Sequence, residues 1–497
     1  MKKLTLSSYI LLLFFVISCK KNILDVENPN NPDFKKVYAS GADILNVTSG
    51  LYNIVYNGEN AAGGVKPMMA TAADNVSCSY GNFGMRDLSF EPRNNAWDNS
   101  ATYSNNVQTN YTYNQMYAAI NTANLVIKAI DGGVQISGGA DNNKVKAFAR
   151  FIQGVAYGNL ALIFDKSFIV DESKTVESKL SQASGYQLVA DAAVKYLDEA
   201  ILLSNNAFVI PASWMGTGAD YSNIEFKKLC NTMAARILAY TPRNKTQLAA
   251  VNWAKVKTYA DAGITSDFSI VMDGAVKWYD EAGDYLTYNG WGVTDMYVVN
   301  MMDPVTQPAH WDDSASFPYP PQSTNPSDKR LLSDFEYVPS NWLSPARGYY
   351  HFSSYRSKRY DDVYVAAIGP KPVVMLAEND MLRAEARLYS STPDLGGAVS
   401  IINAGTRVTR GQMTPVAPVL NDLVKAIHHE RNVEMYTTGV GLQFYEMRKL
   451  NLLQKGTPLH FPIPAKLLQT LGEATPYYTF GTVAKADGVN TSNAGWR

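Results

Sequence analysis

The chain has 497 residues, 46% of them hydrophobic and 18% charged, and a formal net charge of −1. That composition belongs to a folded globular protein, and length alone would allow two to four domains. It lacks the strongly basic balance that a nucleic-acid partner requires, which excludes that class of function.

Met1-Lys2-Lys3 followed by the unbroken apolar run 9–17 has the form of a signal-peptide n-region and h-region. The run is too short to span a bilayer, and no other stretch approaches a span. It ends in Val16-Ile17-Ser18-Cys19, the pattern of a bacterial lipobox. Residues 1–18 are therefore expected to be removed, with Cys19 lipidated. More than one acyl chain gives stable anchoring where a single chain is marginal. Residues 19–33, polar and rich in Pro and Asn, read as the anchor and tether. Of the other cysteines, Cys230 sits in a helical apolar pattern and reads as a small buried hydrophobe. Cys78 and Cys230 do not suggest a disulfide framework in a chain this long.

From residue 34 onward helical periodicity dominates both ends. Helices are expected over 33–56, 113–130, 143–164, 182–203, 225–240, 252–262, 372–388, 395–408 and 420–436. The second ends at Gly132-Gly133. The third carries Ala147, Ala149, Gly154, Ala156 and Gly158, small residues that let neighbouring helices approach closely. The pattern suggests antiparallel helix pairs stacked in the tetratricopeptide manner with irregular spacing. Two regions break the periodicity. Residues 77–112 and 277–360 are irregular and aromatic-rich, the latter at nearly twice the chain-wide 11%. Long irregular segments inside a compact domain are usually functional, and disordered ones are poor in aromatics.

No catalytic or metal motif emerges. His310, His351, His428, His429 and His460 form no ligand spacing, and His428-His429-Glu430 lacks the second histidine of a zinc helix. Neither a nucleophile elbow, a Walker loop nor a dinucleotide fingerprint is present, so no metal and no cofactor is expected.

Several segments in chain order carry a resemblance. They include Tyr113-x3-Tyr117-x2-Ile120-x3-Asn124, the helix Lys146-Ala147-x2-Arg150-Phe151 with Tyr157 and Leu160, and Ala234, Arg236 and Tyr240 on one helix. Further along stand Asp328-Lys329-Arg330-Leu331 and Met381-Leu382-Arg383-Ala384-Glu385-Ala386. The strongest block holds Glu430-Arg431-x2-Glu434-Met435, Phe444-Tyr445-Glu446-Met447-Arg448-Lys449 and Phe461-Pro462-Ile463-Pro464. Together they resemble the SusD/RagB family of outer-membrane nutrient-binding lipoproteins. Thr438-Gly439-Val440-Gly441 departs from that family's E-G-x-R element. Taken as residues, the charged positions Arg236, Arg383, Glu385, Glu430, Arg431 and Glu434 read as buried or half-buried ion pairs, since isolated buried charge is costly.

The resemblance implies a mostly α fold: tetratricopeptide-like helix pairs, with a few short strands, supporting a loop-rich ligand face in a single domain over 34–497. It implies a non-catalytic protein that captures oligosaccharide at the outer membrane and delivers it to a SusC-like TonB-dependent transporter. The residues agree on the ligand face. Trp and Tyr rings offer flat apolar platforms to the C–H face of a sugar, and Asn, Asp, Gln and Arg read its hydroxyl rim. The candidate ligand-binding residues are Trp97, Tyr80, Asn82 and Arg86 from the first aromatic region and Trp291, Tyr297 and Trp311 from the second. Three alternatives stand beside this: a peptide-binding member of the same family, a structural lipoprotein that only packs on a barrel, and a surface glycan hydrolase with two convergent carboxylates.

Overall fold

Close helix–helix contacts made through small residues set the frame of the molecule. The computed structural model describes residues 38–78, 82–90, 93, 95–173, 179–309, 319–339, 352–481 and 488–491. Cys19, the signal and tether segments, Tyr80 and Trp311 lie outside the described residues. Ser40 opens helix α1 (Gly41–Ser49), its hydroxyl accepting the Asp43 N–H at 3.2 Å. After Gly50 comes α2 (Leu51–Asn60), so the one helix expected across 33–56 is divided. The main stack follows as α3 (Asn106–Asp131), α4 (Asn142–Ile163), α5 (Tyr186–Leu203), α6 (Asn223–Tyr240) and α7 (Trp253–Asp261). Each packs on the next. The glycines of α4 do what their size suggests. A Cβ on Gly154 would stand 2.6 Å from Leu197 Cγ on α5, and one on Gly158 would stand 2.6 Å from Ile237 Cδ1 on α6.

The carboxy-terminal half adds α8 (Leu376–Leu388), α9 (Leu395–Ala404), α10 (Leu420–Val433) and α11 (Leu442–Lys449). Two expectations shift here. Residues 372–374 are not helix. They finish a strand over Ile368–Val374, where Pro370 and Pro372 forbid helical hydrogen bonding; it pairs antiparallel with Phe268–Asp273, Lys371 opposite Ile270. The helix begun at Leu395 stops before Gly405, and only a short turn follows over Thr406–Thr409. All five sheets among the described residues are two-stranded. One apolar core runs from Ile44 to Phe461 and includes both Cys78 and Cys230. The mostly helical, strand-poor architecture is the one the sequence implies.

Most of the motif charges are built into this core as pairs. Arg236 forks onto Glu378 at 2.6 and 2.5 Å. Arg431 bridges Glu446 and Glu385 at 2.7 Å each, while Lys449 reaches the same two carboxylates at 2.6 and 3.1 Å. Two cations facing two carboxylates leave this buried quartet neutral, the arrangement in which buried charge is tolerated. Arg330 similarly holds Asp328 and Glu430 at 2.7 Å, and Glu434 at 3.0 Å. Arg383 differs: its side chain is 35% exposed and pairs with Asp380 at the surface.

Among the described residues, the buried Arg243 and Arg448 form no ion pair with a carboxylate. Arg243 donates to Ala161 O at 2.6 Å and Arg448 to Leu162 O at 2.7 Å, both carbonyls at the C-terminal end of α4. That end carries the negative pole of the helix, so the guanidinium charge meets dipoles in place of an anion. Each guanidinium also lies over an aromatic face, Arg243 on Tyr186 at 4.0 Å and Arg448 on Tyr445 at 4.6 Å. Burial holds Arg243 down to about 10, and burial with Arg243 nearby lowers Arg448 further. The Phe461 N–H closes the same helix end on Ile163 O at 2.9 Å. The Phe461-Pro462-Ile463-Pro464 motif thus serves the fold.

Candidate functional site

The two aromatic regions, far apart in sequence, are joined edge to edge. Strand β1 (Val76–Ser77) pairs antiparallel with β2 (Val293–Thr294), Val76 opposite Thr294. The Ser77 hydroxyl donates to Asp295 at 2.6 Å. Asp295 in turn caps the short helix Met296–Met302 by accepting the Tyr297 N–H at 2.9 Å.

Beyond that seam the side chains form an aromatic cluster. Asn82 Nδ2 donates to the Tyr285 hydroxyl at 2.5 Å. Phe83 meets the Tyr285 ring edge-on at 4.8 Å, and Tyr285 stacks on Trp291 at 5.4 Å with an interplanar angle of 24°. Trp291 nevertheless keeps 39% of its surface exposed, and Tyr288 in the same turn keeps 58%. A large ring held by stacking and still open to solvent has lost most of its rotamer freedom in advance, which lowers the entropy cost of a later contact. Phe83 holds φ 51° and Gly84 φ 71°. For a bulky residue this left-handed conformation is uncommon, and such outliers concentrate at functional sites.

Beside the cluster opens a cleft of about 300 Å³ lined by Arg86, Asp87, Phe90, Asn95, Trp97, Asp98 and Tyr103. A Cβ on Gly84 would stand 3.7 Å from the Trp97 ring, which places the Phe83–Gly84 turn next to this cleft. Asp87 accepts from the Tyr103 hydroxyl and from Asn105 at 3.3 Å. Burial first, then the bond to Asp87, pushes the Tyr103 phenol up, so it stays a protonated donor. Arg86 is exposed at the mouth and makes no ion pair among the described residues.

The expected site residues separate in the fold. Asn82, Arg86 and Trp291 stand at the joined surface. Trp97 is 3% exposed and belongs to the core, its ring edge-on to Tyr103 and Phe461 at 5.2 Å each; it forms the floor of the cleft and not an open platform. Tyr297 is buried, its hydroxyl against His428 Nε2. Tyr285, Tyr288 and Phe83 lie with Trp291 at this surface and are not among the expected site residues. The three-residue spacing of Tyr285, Tyr288 and Trp291 was the available signal, since it sets aromatics along one turn-rich segment. Among the described residues no group of His, Cys, Asp and Glu could hold a metal ion, and no helix is long and apolar enough to cross a membrane.

No family model matches the chain, and no curated protein matches it. Solved structures do. A SusD superfamily protein from Parabacteroides distasonis superimposes with a TM-score of 0.61 at 14% identity, covering 88% of this chain and 99% of that one. A SusD-like carbohydrate binding protein from Bacteroides vulgatus gives 0.55 at 16% identity, covering 84% and 86%. B. fragilis NanU gives 0.56 at 13% identity, covering 92% and 100%. Helix stack, short strands and loop face together make this a chain with the fold of the SusD superfamily.

Proposed function

We propose that this chain is a non-catalytic SusD-like glycan-binding protein that takes an oligosaccharide on the aromatic surface around Trp291. The observation that carries the reading is Trp291 itself: 39% exposed, yet braced by stacking on Tyr285. The apolar face of a pyranose is complementary to such a ring. Asn82, Arg86, Asn95 and Asp98 supply donors and acceptors for hydroxyls within the same surface and its cleft. A fold shared with a SusD-like carbohydrate binding protein supports the ligand class. The signal-like run 9–17 and Cys19 support lipid anchoring at the outer membrane, and the motif resemblance to the SusD/RagB family is what suggests delivery to a SusC-like TonB-dependent transporter. Asp87, bonded by Tyr103 and Asn105, serves as a hydrogen-bond acceptor in this reading and not as half of a hydrolytic pair.

The test is retention of the protein on a panel of polysaccharides by affinity electrophoresis, with a peptide panel in parallel. Binding to one glycan class, weakened roughly tenfold or more by Trp291→Ala and by Tyr285→Ala, is the expected outcome. Binding to peptides alone would replace the substrate class, and glycan binding indifferent to both substitutions would remove the site.

A further inference from the structure

We propose that a second, separate pocket between the Thr406–Thr409 turn and α10 binds the carboxylate of a small monoanionic ligand. The pocket has a volume of about 380 Å³ and is lined by Arg407, Pro415, Val416, Ala417, Asp422, Lys425, Ala426 and His429. That size suits a small-molecule ligand. Its wall is fixed: the loop at Val416 is tied to Asn403 on α9 by two hydrogen bonds, at 3.0 and 2.9 Å.

Arg407 is the reason to expect an anion. Its side chain is 13% exposed, and Nε and Nη1 are buried without a hydrogen-bond partner. The nearest carboxylate oxygen, Glu430 Oε1, lies 3.9 Å away, beyond hydrogen-bond reach. Glu430 is already engaged elsewhere: Arg330 donates to both of its oxygens at 2.7 Å and Thr406 adds a third bond at 3.1 Å. Those two nitrogens are closed to solvent, so a ligand in the pocket meets the exposed remainder of the Arg407 side chain, a cation for which a carboxylate is a matching partner. Lys425, on the exposed side of the same pocket, forms no ion pair or hydrogen bond among the described residues.

The other polar groups limit the ligand's charge. Asp422 is a carboxylate on the rim. His429 donates through Nε2 to Asp328 at 2.8 Å, and its burial keeps the imidazole below its ordinary pKa, so it adds no cation. Two cations against one carboxylate favour a monoanion over a phosphate dianion.

The experiment is calorimetric titration of the full-length chain with D-glucuronate at low ionic strength, with D-glucose as the uncharged control. Saturable glucuronate binding is expected, weakened about tenfold by Arg407→Gln and about fivefold by Lys425→Gln, and unchanged by Trp291→Ala. Lys425 is exposed, so its variant reports on the pocket even where Arg407→Gln disturbs folding. Absence of saturable glucuronate binding, affinity within about twofold of wild type in Lys425→Gln, or loss with Trp291→Ala would each overturn the proposal. Because glucuronate is read against Trp291→Ala, failure here is distinguishable from failure of the glycan reading.

Discussion

Lys371 is a buried cation that shares its carboxylate with another. It lies 1% exposed on the strand Ile368–Val374, its ammonium 3.4 Å from Asp280. Asp280 already has a closer partner in Lys66 at 2.8 Å and accepts the Gly283 N–H at 2.9 Å. Against the cost of its own burial, the charge of Lys66 first, then that of Lys371 and the bonds from Lys66 and Gly283, hold Asp280 down to about 2. Lys371 shares that one carboxylate with another cation, so burial and Lys66 together bring it down from 10.5 to about 8.

Free energy follows from the displacement. Each pKa unit corresponds to about 1.4 kcal/mol, so keeping Lys371 charged in the fold costs about 3 kcal/mol at neutral pH. The sign is fixed by proton counting. Below pH 8 both folded and unfolded chains carry the proton, and the full cost is present. Between 8 and 10.5 the unfolded chain binds more protons, so this group's contribution to stability rises with pH. Lys371→Met removes the charge and should unfold at higher urea than wild type at pH 7. Its advantage should shrink by about 1.4 kcal/mol per pH unit above 8. Urea midpoints of both proteins at pH 7, 8, 9 and 9.5 measure this directly, and the difference cancels tyrosine titration common to both. A variant less stable than wild type at pH 7, or a difference that does not move between pH 8 and 9.5, would refute the reasoning.

Other perturbations separate fold from site. Trp97→Ala should cost about 3–5 kcal/mol of stability, because a core indole is replaced by a cavity, whereas Trp291→Ala, which loses one half-exposed stacked ring, should cost about 1–2 kcal/mol; thermal melts of the two variants check both. Arg448→Met leaves the carbonyls of Leu162, Leu459 and Tyr240 without their donor and should cost about 3 kcal/mol, read as a lowered urea midpoint. Glu434→Gln removes the anion shared by Arg330, Arg359 and Arg410, at 3.0, 2.8 and 2.6 Å, and should cost about 3–5 kcal/mol, with a correspondingly lower melting temperature. Arg383→Ala, whose pairs are partly exposed, should change stability by no more than about 0.5 kcal/mol in the same melt.

The long helices were legible because one face of each is apolar at the helical period, and their small residues marked where they touch. Helix α11 was not read as a helix. Every residue from Leu442 to Lys449 is buried, so no polar face alternates with an apolar one and periodicity carries no signal. Pro370 and Pro372 could have told against helix at 372–374, but the apolar residues that follow merge with α8 in the sequence. At the surface, the aromatic excess identified the two regions that the seam Val76–Ser77 to Val293–Thr294 brings together. Which rings stay open was not legible. Trp97 and Trp291 look alike in sequence, and only the burial of Trp97 against Phe461 and Tyr103 separates a core indole from a solvent-facing one.

The most direct test of the glycan reading is a crystal structure of the chain with an oligosaccharide from whichever polysaccharide retains it. A sugar ring lying over Trp291, with hydroxyls within hydrogen-bond reach of Asn82 or Arg86, is the result expected. An oligosaccharide bound elsewhere on the molecule, leaving the Trp291 surface bare, would contradict it.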